Sequence, residues 1–233
     1  MHKKIGIIGG LSPESTVSYY LNITRKYVEQ YEDYGYPDII IYSVNLENYH
    51  VWRAENRWDK ITDNLILVSE KLKNAGADFC ITATNIMHKV FNDVVAKVDI
   101  PFIHILNPTI KEIKKAGLKK IGLLGTKFTM SESFYRNELL EQGVTPIVPT
   151  ERQQDSIHQI IEQELVRGLI RNDSKQLYLE IIDKLIESGA EGIILGCTEI
   201  PLLISQEDCP VPTFDTAILH SNASLEYAID VDK

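Results

Sequence analysis

Cys197, Thr198 and Glu199 follow directly on an apolar run, Gly192-Ile193-Ile194-Leu195, with Gly196 as the turn between them. A run of this kind is what a parallel sheet buries on both faces. Ligands of open α/β sheets bind beyond the carboxyl ends of such strands. A cysteine in that place is a candidate reactive thiol, or else a small apolar filler, since free cysteine is often buried. The stretch from Gly76 to Asn85 repeats the pattern. Gly76, Ala77 and Asp78 correspond to Gly189, Ala190 and Glu191 at an offset of 189 − 76 = 113, which sets Thr84 in the place of Cys197. Two such groups on opposite faces of one carbon are what racemisation requires: one removes the α-proton and the other returns a proton from the far side. A thiolate suits the first role, because a reference pKa of about 8.5 can be lowered by nearby donors and helix N-termini. Threonine is a poor base at neutral pH and would hold a water or donate its hydroxyl.

The elements that must position these groups also repeat. Lys3-Lys4-Ile5-Gly6-Ile7-Ile8-Gly9-Gly10 is similar to Lys119-Lys120-Ile121-Gly122-Leu123-Leu124-Gly125-Thr126, and Ile100-Pro101 to Val211-Pro212. The reading is α/β: two similar Rossmann-like lobes with parallel sheets, related by a pseudo-twofold axis, with the active site between them. Residues 1–116 with 214–233 are assigned to the first lobe and 117–213 to the second. Strands are predicted at 5–8, 38–44, 79–82 and 102–105, then at 121–124, 146–148, 192–195 and 212–215. Helices are predicted at 15–31, 59–74, 108–116, 131–142, 153–169, 173–188 and 217–230. Ser12 suits the N-cap of the first helix and Pro13 its first position. Residues 45–58 read as a polar loop, or as a lid in which Arg53 offers a guanidinium to a carboxylate. His88 is either a donor supporting the site or a residue bound to nearby backbone.

Composition narrows the partners. Net charge is 24 − 33 = −9, which argues against nucleic acid or an anionic membrane as partner. No apolar run approaches the roughly 18 residues of a membrane helix, and no signal segment is expected from the residues at the start. Three cysteines without clustered spacing argue against a disulfide framework or a metal site and fit a reducing compartment. The Gly-x-Gly-x-x-Gly and P-loop spacings are absent, so a nucleotide cofactor is not expected.

Gly-Gly-Leu-Ser-Pro-Glu-Ser-Thr at 9–16, Thr-Asn-Ile-Met-His-Lys at 84–89, Leu-Gly-Thr-Lys-Phe-Thr-Met at 124–130 and Gly-Cys-Thr-Glu-Ile at 196–200 resemble the aspartate/glutamate racemase family, in order and over nearly the whole chain. The resemblance implies a two-lobed fold, cofactor-independent racemisation of a small dicarboxylic amino acid, a cytoplasmic location and a homodimer. Most members carry cysteine in both halves; Thr84 departs from this and resembles the subgroup specific for L-aspartate or L-glutamate, in which the cysteine serves the L-enantiomer. By resemblance, Thr84 and Cys197 transfer the proton. Asn85, Thr126 and Thr198 bind the α-carboxylate and amino group, Leu11 and Ser12 line the first turn, and Ile86 stands where the family often has a second threonine. Arg53 and Arg167 are candidates for the side-chain carboxylate, and Glu199 for orienting Cys197 or binding the ammonium. A single-cysteine decarboxylase or isomerase of the same superfamily and a non-catalytic amino-acid-binding protein are the alternatives.

Overall fold

The computed structural model describes residues 2–229. The elements run β1 (Ile5–Gly9), α1 (Pro13–Tyr31), β2 (Ile39–Ser43), α2 (Leu46–Ala54), α3 (Trp58–Asn74), β3 (Phe79–Thr82), α4 (Phe91–Val95), α5 (Leu106–Lys115), β4 (Lys120–Gly125), α6 (Lys127–Ser131), α7 (Ser133–Glu141), β5 (Thr145–Ile147), α8 (Glu151–Gln163), α9 (Asn172–Glu187), β6 (Gly192–Gly196), β7 (Thr213–Asp215) and α10 (Thr216–Ile229). Among the described residues these strands make two all-parallel sheets, ordered β2-β1-β3 and β5-β4-β6-β7. In each sheet the first strand lies between the second and the third, so the repeat in the sequence is a repeat in topology. Strands β1, β3 and β6 are buried along their whole length, as expected of parallel strands covered by helices. The α/β architecture expected from the sequence is the one observed.

The chain forms two compact units, one holding residues up to 105 and from 217 on, the other residues 106–216. The sequence placed the first border at 116/117. The observed border precedes α5, because this helix, buried through Ile110 and Ile113, packs on β7 and α7 of the second unit. Residues 230–233, expected in the first lobe with the end of its last helix, and Met1 lie outside the described residues.

In the first unit α1 starts at Ser12, whose side chain accepts from the Ser15 N–H, with Pro13 at the first position. Its buried stripe is Tyr19, Ile23 and Tyr27, four residues apart. Likewise α3 buries Ile61, Leu65, Val68 and Leu72. In the second unit a capping box of Thr150 and Gln153 opens α8, and α9 buries Tyr178, Ile181, Ile182 and Leu185.

Two expectations are corrected. Residues 45–58 are not a loop, because Leu46–Ala54 is helical. Asn45 caps it by accepting from the Glu47 N–H at 3.0 Å, and Tyr49 is buried with Trp52 packed on the same apolar cluster. Nor is 102–105 a strand; it makes one parallel bridge, Cys80 to Phe102. Side chains take the backbone groups a ladder would have used. The Ile103 carbonyl accepts from His220 Nε2 at 2.9 Å, and the Ile105 N–H donates to His88 Nε2 at 3.1 Å.

Candidate active site

In the first unit, parallel pairing of Ile8 with Thr82 brings the ends of β1 and β3 side by side. The chain beyond β1 turns at Gly10, with φ +78°, where a Cβ would collide with the Val44 backbone. Gly10 N–H donates to Thr16 Oγ1 at 2.8 Å, and Thr16 in turn donates to the Ser12 carbonyl at 2.9 Å. Ser15 Oγ donates to the Ala83 carbonyl at 2.7 Å, fastening the first turn of α1 to the loop carrying Thr84. Leu11 and Ile86 belong to one apolar cluster with Tyr49 and Trp52. The structure therefore gathers Leu11, Ser12, Thr84, Asn85 and Ile86 around two adjacent strand ends. Asn85 is buried, while Thr84 and Ile86 are half-buried.

Arg53 is half-buried near the end of α2, and among the described residues its guanidinium has no ion pair or hydrogen bond. Arg57 differs: its Nε lies 2.8 Å from Asp59 Oδ1, so its charge is already used.

His88 fixes the loop from behind. Its Nδ1 donates to the Thr84 carbonyl at 2.8 Å and its Nε2 accepts from the Ile105 N–H. Accepting from a backbone N–H requires the neutral ring with its proton on Nδ1. Burial, followed by neighbouring His104 and His220, holds its pKa well below the ordinary histidine value. Of the two sequence readings of His88, the backbone-bound one is observed, and the backbone is that of Thr84.

In the second unit the pairing of Gly125 with Gly196 sets Thr126 and Cys197 at adjacent strand ends, as Thr84 is set beside the β1 turn in the first. A Cβ on Gly196 would lie 2.8 Å from the Leu124 carbonyl oxygen, so only glycine permits this approach. Thr126 is buried and caps α6 by accepting from the Thr129 N–H at 3.3 Å. Cys197, 9% exposed, donates its thiol proton to Glu199 Oε2 at 3.0 Å. Thr198 Oγ1 donates to the same oxygen at 2.8 Å. The carboxylate reaches back because Glu199 is helical (φ −89°, ψ −22°) at the entry to the 3-10 turn Ile200–Leu202.

The expected lowered thiol pKa is not found. Burial, then the Glu199 charge, pushes Cys197 well above the ordinary thiol value. The resting group is a protonated thiol beside a carboxylate rather than an ionised one. Removing that negative charge reverses its part of the effect. Glu199→Gln is expected to move the pH of half-maximal Cys197 alkylation downward, as read by peptide-resolved mass spectrometry; an upward or absent shift would refute the pairing. Cys80, fully buried inside β3, is pushed by burial to about 12, in keeping with inert packing.

Arg167 ends the 3-10 turn Leu165–Arg167 and is exposed. This turn follows Glu162, whose charge is felt at Cys197. Among the described residues no group of three or more His, Cys, Asp or Glu could hold a metal ion, and no helix is long and apolar enough to cross a membrane.

Residues 8–223 match the Asp/Glu/Hydantoin racemase family, and the chain belongs to that family. Its class is therefore that of the racemases, among the isomerases. The chain is similar to the broad specificity amino-acid racemase RacX of Bacillus subtilis (strain 168), at 24% identity over 216 residues, 91% of this chain and 92% of the relative. Among solved structures it resembles an aspartate racemase homologue from Pyrococcus horikoshii OT3, with TM-score 0.87 and 39% identity over 97% of this chain and 99% of that one. A candidate Asp/Glu racemase from Yersinia pestis gives TM-score 0.92 at 39% identity, again over 97% and 99%.

Proposed function

We propose that the protein racemises L-aspartate or L-glutamate without a cofactor, with Cys197 as the base and Thr84 serving the other face of Cα. The observation that carries this reading is the buried thiol donating to Glu199 at 3.0 Å, at a strand end, in a chain of the racemase family. On substrate binding Glu199 takes the thiol proton, and the Cys197 thiolate takes the Cα proton. A proton returns from the opposite face through the Thr84 hydroxyl or a water it holds. Asn85, Thr126 and Thr198 supply polar groups for the α-carboxylate and ammonium. Arg53, half-buried and without an ion pair among the described residues, suits the side-chain carboxylate better than exposed Arg167. The reading includes a homodimer in the cytoplasm, by resemblance to the family.

One strong base and one hydroxyl make the two directions unlike. Enantiomers have equal free energy, so kcat/KM is the same both ways and a lower kcat from the D side is matched by KM. At saturating substrate, initial deuterium entry at Cα is expected to be faster from the L-enantiomer. Thr84→Cys supplies a second thiol and is expected to raise the D-side rate; the two thiols would then titrate as a coupled pair. Equal rates in the parent, or no D-side gain in the variant, would remove Thr84 from the opposite face.

A further inference from the structure

Among the described residues the two sheets leave four strand edges, at β2, β3, β5 and β7, and three of them are blunted. β5 carries Pro146, and β7 is only three residues long. β3 takes the bridge to Phe102, with the Cys80 N–H donating to the Pro101 carbonyl at 2.8 Å. β2 differs: Ile39-Ile40-Ile41-Tyr42-Ser43 holds no charge and no proline. An unblunted edge of this kind is a template for pairing with another chain. The register shows which of its backbone groups are already used. The Ile5 N–H donates to the Asp38 carbonyl at 2.9 Å, and the Val44 N–H to the Gly9 carbonyl at 3.0 Å. Even-numbered residues of β2 therefore bond to β1, while Ile39, Ile41 and Ser43 turn their N–H and C=O outward, with no partner among the described residues. Both faces of this edge are flanked by apolar side chains. A Cβ on Gly9 would meet both Thr16 and Ile41, so α1 abuts Ile41 there, and Tyr20 lies one turn further along α1. On the other face Lys71 Nζ donates to Tyr42 Oη at 3.0 Å, and Leu67 lies one turn before Lys71 on α3. Tyr20, Ile41 and Leu67 are all exposed.

We propose that β2 pairs antiparallel with β2 of a second copy of this chain, about a twofold axis at Ile41, so that two sheets become one continuous sheet. Ile41 then stands opposite the partner's Ile41, and Ile39 opposite the partner's Ser43, and every outward N–H meets an outward C=O. A twofold pair uses both edges and closes, which limits the assembly to a dimer. Charge favours the same face. With a net charge of −9 most surfaces of two copies repel, whereas this strand carries no charge. The ammonium of Lys71, held over Tyr42, comes diagonal to the partner's Asp38, a carboxylate that is exposed and lies 3.7 Å from Lys4 within its own chain. The pairing gives a surface to the homodimer of the reading above and does not depend on the reaction catalysed. Light scattering after size exclusion reads the mass of the parent and of Ile41→Lys at one protein concentration. The parent is expected at twice the chain mass. Ile41→Lys sets two ammonium groups opposite each other at the axis and is expected at the mass of one chain, with its circular dichroism unchanged. Should Ile41→Lys not fold, Ile41→Cys treated with a short bismaleimide reads the register directly. A cross-link between the two copies at position 41 is expected, resolved by peptide mass spectrometry. A monomeric parent, a dimer left intact by folded Ile41→Lys, or a dimer that does not cross-link at position 41 overturns the pairing. A dimer through β2 that fails to turn over aspartate or glutamate counts against the racemase reading alone, and turnover by a monomeric parent counts against the pairing alone.

Discussion

Cys197→Ala is expected to abolish exchange at Cα, with a loss on the order of 10³-fold or more, the range of a positioned general base. The fold should survive the change, since the substitution removes one sulfur atom from a strand end and leaves its glycine neighbours in place. Two controls fix the meaning of the loss. Cys80→Ala removes a thiol that burial pushes to about 12, and should leave exchange intact provided the variant folds. Cys209, after the turn at 206–208, is likewise raised by burial and should be dispensable. Deuterium entry at Cα, followed by proton NMR, reads all three. Retained exchange in Cys197→Ala would end the proposed mechanism.

The second large effect is on stability in acid. His88, His104 and His220 lie close together in the first unit, with ring centroids 4.6 Å apart for the first two and 6.0 Å for His88 and His220. His220 is held neutral by burial; its Nε2 donates to the Ile103 carbonyl, and its Nδ1 accepts from the Tyr19 hydroxyl at 2.9 Å. Burial lowers His104 to about 4 and His220 to about 3, and burial with the neighbouring histidines lowers His88 well below its usual value. The folded pKa values are depressed, so the unfolded chain binds more protons whenever the pH is below about 6.5. Stability is therefore complete above that pH and is lost as the pH falls toward 4 and 3. Well below pH 6.5 each such histidine contributes a slope of up to about 1.4 kcal/mol per pH unit. Urea unfolding at pH 7.5 and pH 5 measures this, and His104→Gln should reduce the slope by close to one proton. A stability that is flat across this range would mean the cluster is solvated and ionisable in place. Protonation of His88 at Nε2 removes the acceptor of the Ile105 N–H, while Nδ1 keeps its bond to the Thr84 carbonyl.

How much of this was legible in the sequence depends on how local the cause is. The strand ends were legible, because Gly196 and Gly10 mark turns that only glycine allows and the 113-residue repeat fixes which positions correspond. The helix at 46–54 was not, because the flanking Asn45, Glu47, Asn48, His50, Arg53, Glu55 and Arg57 make the segment read as polar and hide a stripe of Leu46, Tyr49 and Trp52 at three-residue spacing; with Asn45 before it, that stripe was the available signal. The missing strand at 102–105 had no local cause at all. His88 and His220, distant in sequence, take its backbone groups, and only the fold reveals that competition. The state of the thiol was misread for a similar reason. A cysteine at a turn suggests exposed N–H donors, but the helical backbone at Glu199 returns a carboxylate two residues along to the sulfur. Tyr178 shows the limit most plainly, since a tyrosine on a buried helix stripe reads as core, and its unpartnered hydroxyl is visible only in three dimensions.

The most direct measurement is a proton NMR time course in deuterated water, with the purified protein and each enantiomer of aspartate and glutamate, no cofactor added and a chelator present. The expected result is loss of the Cα proton signal from L-aspartate or L-glutamate, with the D-enantiomer appearing by chiral analysis and the mixture approaching one to one. Undiminished Cα signals for all four substrates, from folded protein whose Cys197 still reacts with iodoacetamide, would contradict the assignment.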